Sequence, residues 1–343
     1  MKRLIKLCVM IAIASVYFAV PDAFAGFKIS DGDKTLELYG RIQPRFEWKE
    51  VDNSSDAQKH SGSDFYIRRT RVGFKVKLAN EIKGKLEWKL DNYLQETKTP
   101  ETKLENAFVS FDYYNSKFIP EFGLQNSVFS REGQLSDSKF MFDNRSIIVN
   151  KLQGEGLADN ATGLHLKGKL LKKHLEYGVG FYEGGDGGGD DSKEGDRSDS
   201  LLYALGVVYH IFEPESRMGS HVGDGKKYLT VGTYYTAQDR KSVADTEAIA
   251  AYGADVFGQF GTATFSGGYY AFEKDFDIAA DRDNDGFYVE GAYLIPVFTD
   301  KYLEFAARYQ SYKPDEAFTD PEEKQTSIGV NYYIKKHNVK VQG

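Results

Sequence analysis

The segment Phe65-Tyr-Ile-Arg-Arg-Thr-Arg-Val-Gly-Phe-Lys-Val-Lys-Leu78, FYIRRTRVGFKVKL, carries five cations among apolar residues. Val72, Phe74, Val76 and Leu78 take the even positions; Arg71, Gly73, Lys75 and Lys77 take the odd ones. Steps of about 100° on a helix would scatter those cations around the circumference, whereas a strand gathers them on one face. The segment therefore reads as a strand with one oily and one basic face. Arg68 and Thr70 break the parity, on the side of Val72. A β-bulge or a strand end already clear of the apolar layer accounts for that, and the second is simpler.

The same alternation recurs upstream. Leu36, Leu38, Gly40, Ile42, Pro44, Phe46 and Trp48 share one face; Glu37, Tyr39, Arg41, Gln43, Arg45, Glu47 and Lys49 share the other. Segments 85–94, 162–170, 175–182, 286–295 and 327–334 obey the same rule. The pattern predicts 14 strands: 34–49, 64–78, 85–94, 103–114, 117–125, 160–171, 174–183, 200–212, 228–238, 248–258, 262–273, 286–295, 301–312 and 324–335. Short links at 79–84, 115–116, 172–173 and 259–261 alternate with long polar ones such as 186–199 and 277–285. Segment 213–227 is long for its place and is expected to be a surface excursion.

Repeated alternation with short and long connections in turn is the signature of a transmembrane antiparallel β-barrel, an all-β fold. A soluble sandwich shares the alternation. Here, however, Arg, Lys and Glu run along whole strands opposite an apolar face with Trp48, Tyr113, Tyr235 and Tyr293 near strand ends. That distribution suits lipid outside and water inside.

Composition agrees. The 343 residues include 23 Tyr, 24 Phe and 34 Gly, a bias toward strands and tight turns. Residues 1–25 have a basic head (Lys2, Arg3, Lys6), an apolar centre and Ala23-Phe24-Ala25, the order of a secretory signal peptide cleaved after Ala25. Its loss takes away three cations and Asp22, moving the net charge from −7 to −9, which argues against a nucleic-acid partner. The only cysteine, Cys8, goes with it, so the exported chain has neither disulfides nor a thiolate metal site.

The histidines are scattered, and no nucleophile stands beside a positioned base, so no enzyme and no cofactor is expected. Asp281-Arg-Asp-Asn-Asp-Gly286 imitates the opening of a calcium loop, but Ala292 stands where the bidentate Glu would be. A hairpin loop is the better reading, and GGDGGGD at 184–190 reads as a flexible tip.

LYGRIQPRFEW (38–48), FYIRRTRVGFKVKLANEIKGKLEWKLDNY (65–93), LENAFVSFDYY (104–114) and FGLQNSVFSREGQLSDSKFMFDNRSI (122–147) resemble the phosphate-selective porin O and P family, as does the closing SIGVNYYIKKHNVKVQG (327–343). Order and spacing of all these stretches carry the likeness. It implies a 16-stranded barrel in a Gram-negative outer membrane, usually a homotrimer, with a basic lumen that passes anions such as phosphate. The sequence shows 14 strands, an even number that could still close; with the start of a fifteenth at 341–343 the expectation is rather a frame truncated at its C-terminus.

Face parity assigns Arg41, Arg45, Arg69, Arg71, Lys75, Lys77, Lys85 and Lys89 to the pore wall, against Glu37, Glu47, Glu87 and Asp91. Eight cations facing four acids lower the barrier for anions. The plainer alternative is ordinary wall charge setting only pore size, as in a general porin; a non-conducting adhesin or scaffold barrel is the other class. By the resemblance, connection 126–159 folds inward, with Arg131, Lys139 and Arg145 as constriction residues; a plain external loop is the alternative. The acidic runs 186–199 and 273–285 suit solubility or divalent-cation sharing with lipopolysaccharide.

Overall fold

The structure, a computed structural model, describes residues 26–51, 60–92, 99–184, 201–215, 217–241, 246–315 and 322–343. The chain divides into two compact units, Met1–Phe111 and Asp112–Gly343. The first contains β1 (Phe27–Asp31), β2 (Lys34–Val51), β3 (His60–Lys77), β4 (Ile82–Asp91) and β5 (Glu101–Phe111), each antiparallel to the next. The second contains β6 (Ile119–Asn126), β7 (Asn160–Leu170), β8 (Leu175–Glu183), β9 (Leu201–His210), β10 (Lys227–Lys241) and β11 (Thr246–Phe260). It continues through β12 (Ala263–Phe276), β13 (Arg282–Phe298), β14 (Lys301–Lys313), β15 (Glu323–Lys335) and β16 (Val339–Gln342). Here too successive strands pair antiparallel.

Every one of the 14 expected strands is present, so the described residues hold sixteen with β1 and β16. β1 escaped the sequence reading because five residues give too little alternation to count, and the tight turn at Gly32 joins it directly to Lys34. β12 and β13 extend further than expected, which leaves only 277–281 as their connection and puts Arg282–Gly286 on a strand. Asp281 there accepts the Phe276 N–H at 3.0 Å, a hairpin contact.

Exposure is inverted relative to a protein built for water. On β9, Leu201, Tyr203, Leu205, Val207 and Tyr209 are exposed while Leu202, Ala204, Val208 and His210 are buried. Counting on to exposed Ile211, the apolar stripe runs about 33 Å along the strand. Inclined by about 40°, it covers about 25 Å, the height of the apolar band of an outer-membrane barrel. On β2, Leu36, Leu38, Ile42, Phe46 and Trp48 are exposed and the charged face is half-buried. The aromatics expected at strand ends, Trp48, Tyr113, Tyr235 and Tyr293, are all exposed. Among the described residues no helix is long and apolar enough to cross a membrane.

The parity break in β3 is a bulge. Gln43 pairs with Arg69 and Pro44 with Ile67, so Arg68 is the extra residue. The simpler explanation from sequence is thereby corrected: on one side of Arg68 the even residues face outward, on the other Phe65 is exposed and Tyr66 buried. A second bulge in β5 makes Glu105 the extra residue, since Glu87 pairs with Asn106 and Trp88 with Leu104.

In the second unit two connections pack against the face opposite the apolar one. Connection 127–159 contains α1 (Arg131–Gln134), a 3₁₀ turn (Asp137–Lys139) and α2 (Ile147–Gly154). The Ser130 and Ser146 hydroxyls cap the two helices. An eight-residue helix is too short to persist alone. α2 is held because Ile148, Val149 and Leu152 are fully buried against Tyr270, Phe272, Tyr288 and Tyr312, about 1.5–3 kcal/mol per side chain. The second connection, 211–226, corrects the expected surface excursion: Glu215, Ser220, His221 and Val222 are all buried. Its inward course follows from its acid and histidine side chains, which find buried partners there.

Glycines make room for this packing. Gly178 and Gly206 are cross-strand partners, and Val128 lies over both. A Cβ on Gly178 would meet Val128 Cγ1 at 2.7 Å, and one on Gly206 the Val128 carbonyl at 3.0 Å. Gly178→Val is expected to lift the start of the connection and destabilise the protein by about 1–3 kcal/mol, read as a lower thermal midpoint in detergent. An unchanged midpoint would show that Val128 does not need that floor.

Candidate pore wall and constriction

The charged face of the first unit gathers the eight cations expected from parity, and it also supplies most of them with acids. Arg45 bonds Glu47 at 3.0 Å, Lys75 bonds Glu37 at 3.0 Å, Lys85 bonds Glu87 at 3.0 Å and Lys89 bonds Glu101 at 2.8 Å. Arg71 is buried between Asp91 and Glu105, the latter at 3.5 Å. Arg41 and Arg69 are half-buried on the same face. Lys77 bonds the neutral Asn80 at 2.8 Å.

Sequence parity missed Glu101 and Glu105. The first reaches Lys89 only through the β4–β5 register, and the second turns toward Arg71 because of the bulge. These acids offset part of the cation surplus, while Lys103, bonded to Glu101 at 2.7 Å, and Lys83, opposite Lys77, add to it. That surplus is most accessible at Lys75, whose side chain is 52% exposed and lies 4.4 Å from the Tyr39 ring. Exposed pairs of this kind add about 0–1 kcal/mol each to stability, so their main effect is on the field seen by solutes.

The three residues expected at the constriction all lie on the in-folded connection 127–159, in different settings. Arg131 is buried and fully engaged. It grips Glu215 through two bonds of 3.0 and 3.1 Å, donates to the Met218 carbonyl at 2.6 Å and lies 4.0 Å over the Phe257 ring. Its backbone N–H donates to Asp255 at 2.8 Å. Burial disfavours both charges of the Arg131–Glu215 pair. Even so, Arg131 and the His221 hydrogen bond hold the Glu215 carboxyl at about 2, and Glu215 raises Arg131 above its ordinary value. Arg145 is half-buried, paired with Asp137 at 2.8 Å and donating to the Glu132 and Leu135 carbonyls. Lys139 is half-buried, and its carbonyl accepts from Gly219 at 2.8 Å.

Further anchors lie far downstream. Arg308 donates to Glu290 at 2.7 and 2.9 Å, to Glu132 at 3.3 Å and to the Asn144 carbonyl at 2.9 Å. Gln310 accepts the Ile147 N–H at 2.9 Å, Asn331 donates to the Met141 carbonyl at 2.8 Å, and Lys340 donates to the Phe140 carbonyl at 2.6 Å. Buried Glu304 accepts from Ser220, Asn331 and Tyr333, tying connection 211–226 to β14 and β15. These residues carry no local sequence signal; only their position on the polar parity of strands marked them. The described residues hold no cluster of metal-ligating side chains, and run 186–199 lies outside them.

A family profile described as phosphate-selective porin O and P matches residues 37–342. Among solved structures, OmpF of Salmonella typhi in complex with daunomycin is similar at TM-score 0.60 and 14% identity, covering 90% of this chain and 89% of that one. An anion-selective porin from Comamonas acidovorans is similar at TM-score 0.55 and 13% identity, covering 87% and 83%. In-vitro folded OmpT of Vibrio cholerae, in its trimer form, gives TM-score 0.54 and 12% identity over 87% and 83%. A search of curated protein sequences gives no match. At these identities the structures show the fold alone, that of the porin β-barrel, while the profile spans nearly the whole chain. The chain belongs to the phosphate-selective porin O and P family of outer-membrane porins.

Proposed function

We propose that this porin passes small hydrophilic solutes with a modest preference for anions, phosphate being the first candidate, along the charged face of β2–β5. The observation that carries the reading is the contrast between the two polar faces. On β2–β5 most charged side chains other than Arg71 and Asp91 keep partial access to solvent, whereas in the second unit Arg240, Asp255, Glu304 and Arg308 are buried against connections 127–159 and 211–226. A water-accessible wall with a cation surplus favours anions. Because most cations on it have acid partners, the preference is expected to be weaker than an unpaired count of eight would give. The anion-selective Comamonas porin of similar fold supports the direction. The trimer form of the Vibrio protein supports a homotrimer. Export by cleavage after Ala25, and contact of the acidic 273–285 stretch with lipopolysaccharide through divalent cations, complete the proposal.

Planar-bilayer recording tests it. The wild type should conduct in a salt-dependent way, with a reversal potential in a chloride or phosphate gradient displaced toward the anion. Lys75→Gln with Lys77→Gln should move that potential toward cations; Arg71 is left intact because it is buried between two acids. No shift would remove the selectivity claim, and no conductance would remove the channel in favour of a scaffold barrel.

A further inference from the structure

A cavity of about 250 Å³ lies in the second unit beneath the start of connection 127–159. It is bounded by β6–β10 and by Arg217 of connection 211–226. One side is cationic: Lys167 and Lys169 of β7 project there with Arg217. Two acids answer the three cations, Glu121 at 2.6 Å from Lys167 and Glu176 bonded to Lys169 and, at 3.1 Å, to Arg217. Beside them His165 also lines the cavity; its side chain is 9% exposed, Nδ1 stands 3.9 Å from the Glu121 carboxylate, and neither ring nitrogen makes a hydrogen bond. A buried polar group left unmatched costs about 1–3 kcal/mol, so an acceptor brought to His165 recovers that loss. The remaining walls are apolar: Ile119, Val128, Val208 and the Tyr234 ring.

We propose that this cavity is a binding site for small organic monocarboxylates. The carboxylate is held by Lys167, Arg217 and the His165 ring, and the compact apolar body rests on Ile119, Val128 and Val208. A pocket just under the roughly 300 Å³ at which drug-sized ligands begin has room for a single-ring acid. A tetrahedral oxyanion such as phosphate fits the lining poorly, because the apolar walls leave part of its oxygen surface without donors. No residue of β2–β5 lines the cavity, and the proposal does not depend on which ions that wall prefers.

Benzoate is the probe, added to the full chain in detergent, with affinity read by calorimetry and the imidazole resonances read by NMR on histidine-labelled protein. Saturable benzoate binding is expected, with the His165 resonance moving during the titration. Benzyl alcohol, which keeps the ring and lacks the carboxylate, should not displace it, nor should inorganic phosphate at equal concentration. Arg217→Gln should weaken benzoate about tenfold, the share of one charge-assisted hydrogen bond. Lys75→Gln with Lys77→Gln should leave its affinity unchanged. Absence of saturable binding, equal binding of benzyl alcohol or phosphate, a static His165 resonance in the wild type, or full affinity in folded Arg217→Gln would overturn the assignment. The wild-type resonance decides the matter even if Arg217→Gln fails to fold.

Discussion

Glu215→Ala should destabilise the protein by about 3–5 kcal/mol and raise its single-channel conductance. The substitution leaves the Arg131 guanidinium buried without its bidentate carboxylate, and an orphaned interior charge costs far more than the intact pair contributes. The cheapest response is for Arg131 to reach water, which pulls α1 off Asp255 and releases the start of connection 127–159. Thermal unfolding in detergent reads the first effect and bilayer recording the second. A variant with wild-type midpoint and conductance would show that the pair is not what holds the loop. Replacing both partners by methionine should recover most of the midpoint, because no charge is then stranded. The pH dependence has a definite sign. Glu215 is held at about 2 in the folded chain against 4.5 ordinarily, so its contribution is complete above about 4.5 and is lost as pH falls toward 2. Wild type and Glu215→Ala should therefore differ fully at neutral pH and converge in strong acid.

A loss of about 3–5 kcal/mol is likewise expected for Arg308→Met, by a different route. Arg308 separates Glu132 of α1 from Glu290 of β13, and without it two buried carboxylates face each other. Burial and Glu290 already push the Glu132 carboxyl above its ordinary value, with Arg308 opposing them. A raised acid binds more protons in the folded state, so its share of stability falls as pH rises through that window. The penalty of Arg308→Met should accordingly be larger at pH 8 than at pH 5. Adding Glu290→Gln should restore part of it. A penalty independent of pH, or one not relieved by Glu290→Gln, would mean that lost packing on Phe142, rather than the acid pair, carries the cost.

The wall was legible in the sequence because alternation is a local property. Leu36 to Trp48 and Val72 to Leu78 each place their side chains by parity, and the structure keeps those faces. The bulge at Arg68 was not legible: residues 65–70 suit either face, and only pairing with Gln43 and Pro44 decides. Connection 127–159 defeats parity altogether. Nothing adjacent to Arg131 indicates that its carboxylate comes from Glu215, or that Arg308 neutralises Glu132. A sequence reader sees three cations on a loop and assigns them to solute. The structure shows Arg131 spent on architecture and Arg145 drawn to Asp137 and two carbonyls. The same limit hid connection 211–226, whose buried Glu215 and Ser220 look like ordinary surface residues until their partners are known.

The chain order of these contacts dictates a timetable for biogenesis. Residues 131–147 dock onto Glu215, Asp255, Arg308, Gln310 and Asn331, all of which leave the export machinery later. Closing separations of 84 to 190 residues falls to the last stage of assembly, since distant pairings carry the entropic cost that slows maturation. Until β13–β15 arrive, residues 132–147 lack the anchors that Arg308, Gln310 and Asn331 supply. On the reading that connection 127–159 narrows the pore, a half-inserted barrel of this design is a leaky one, and its host must complete insertion quickly or shield the intermediate.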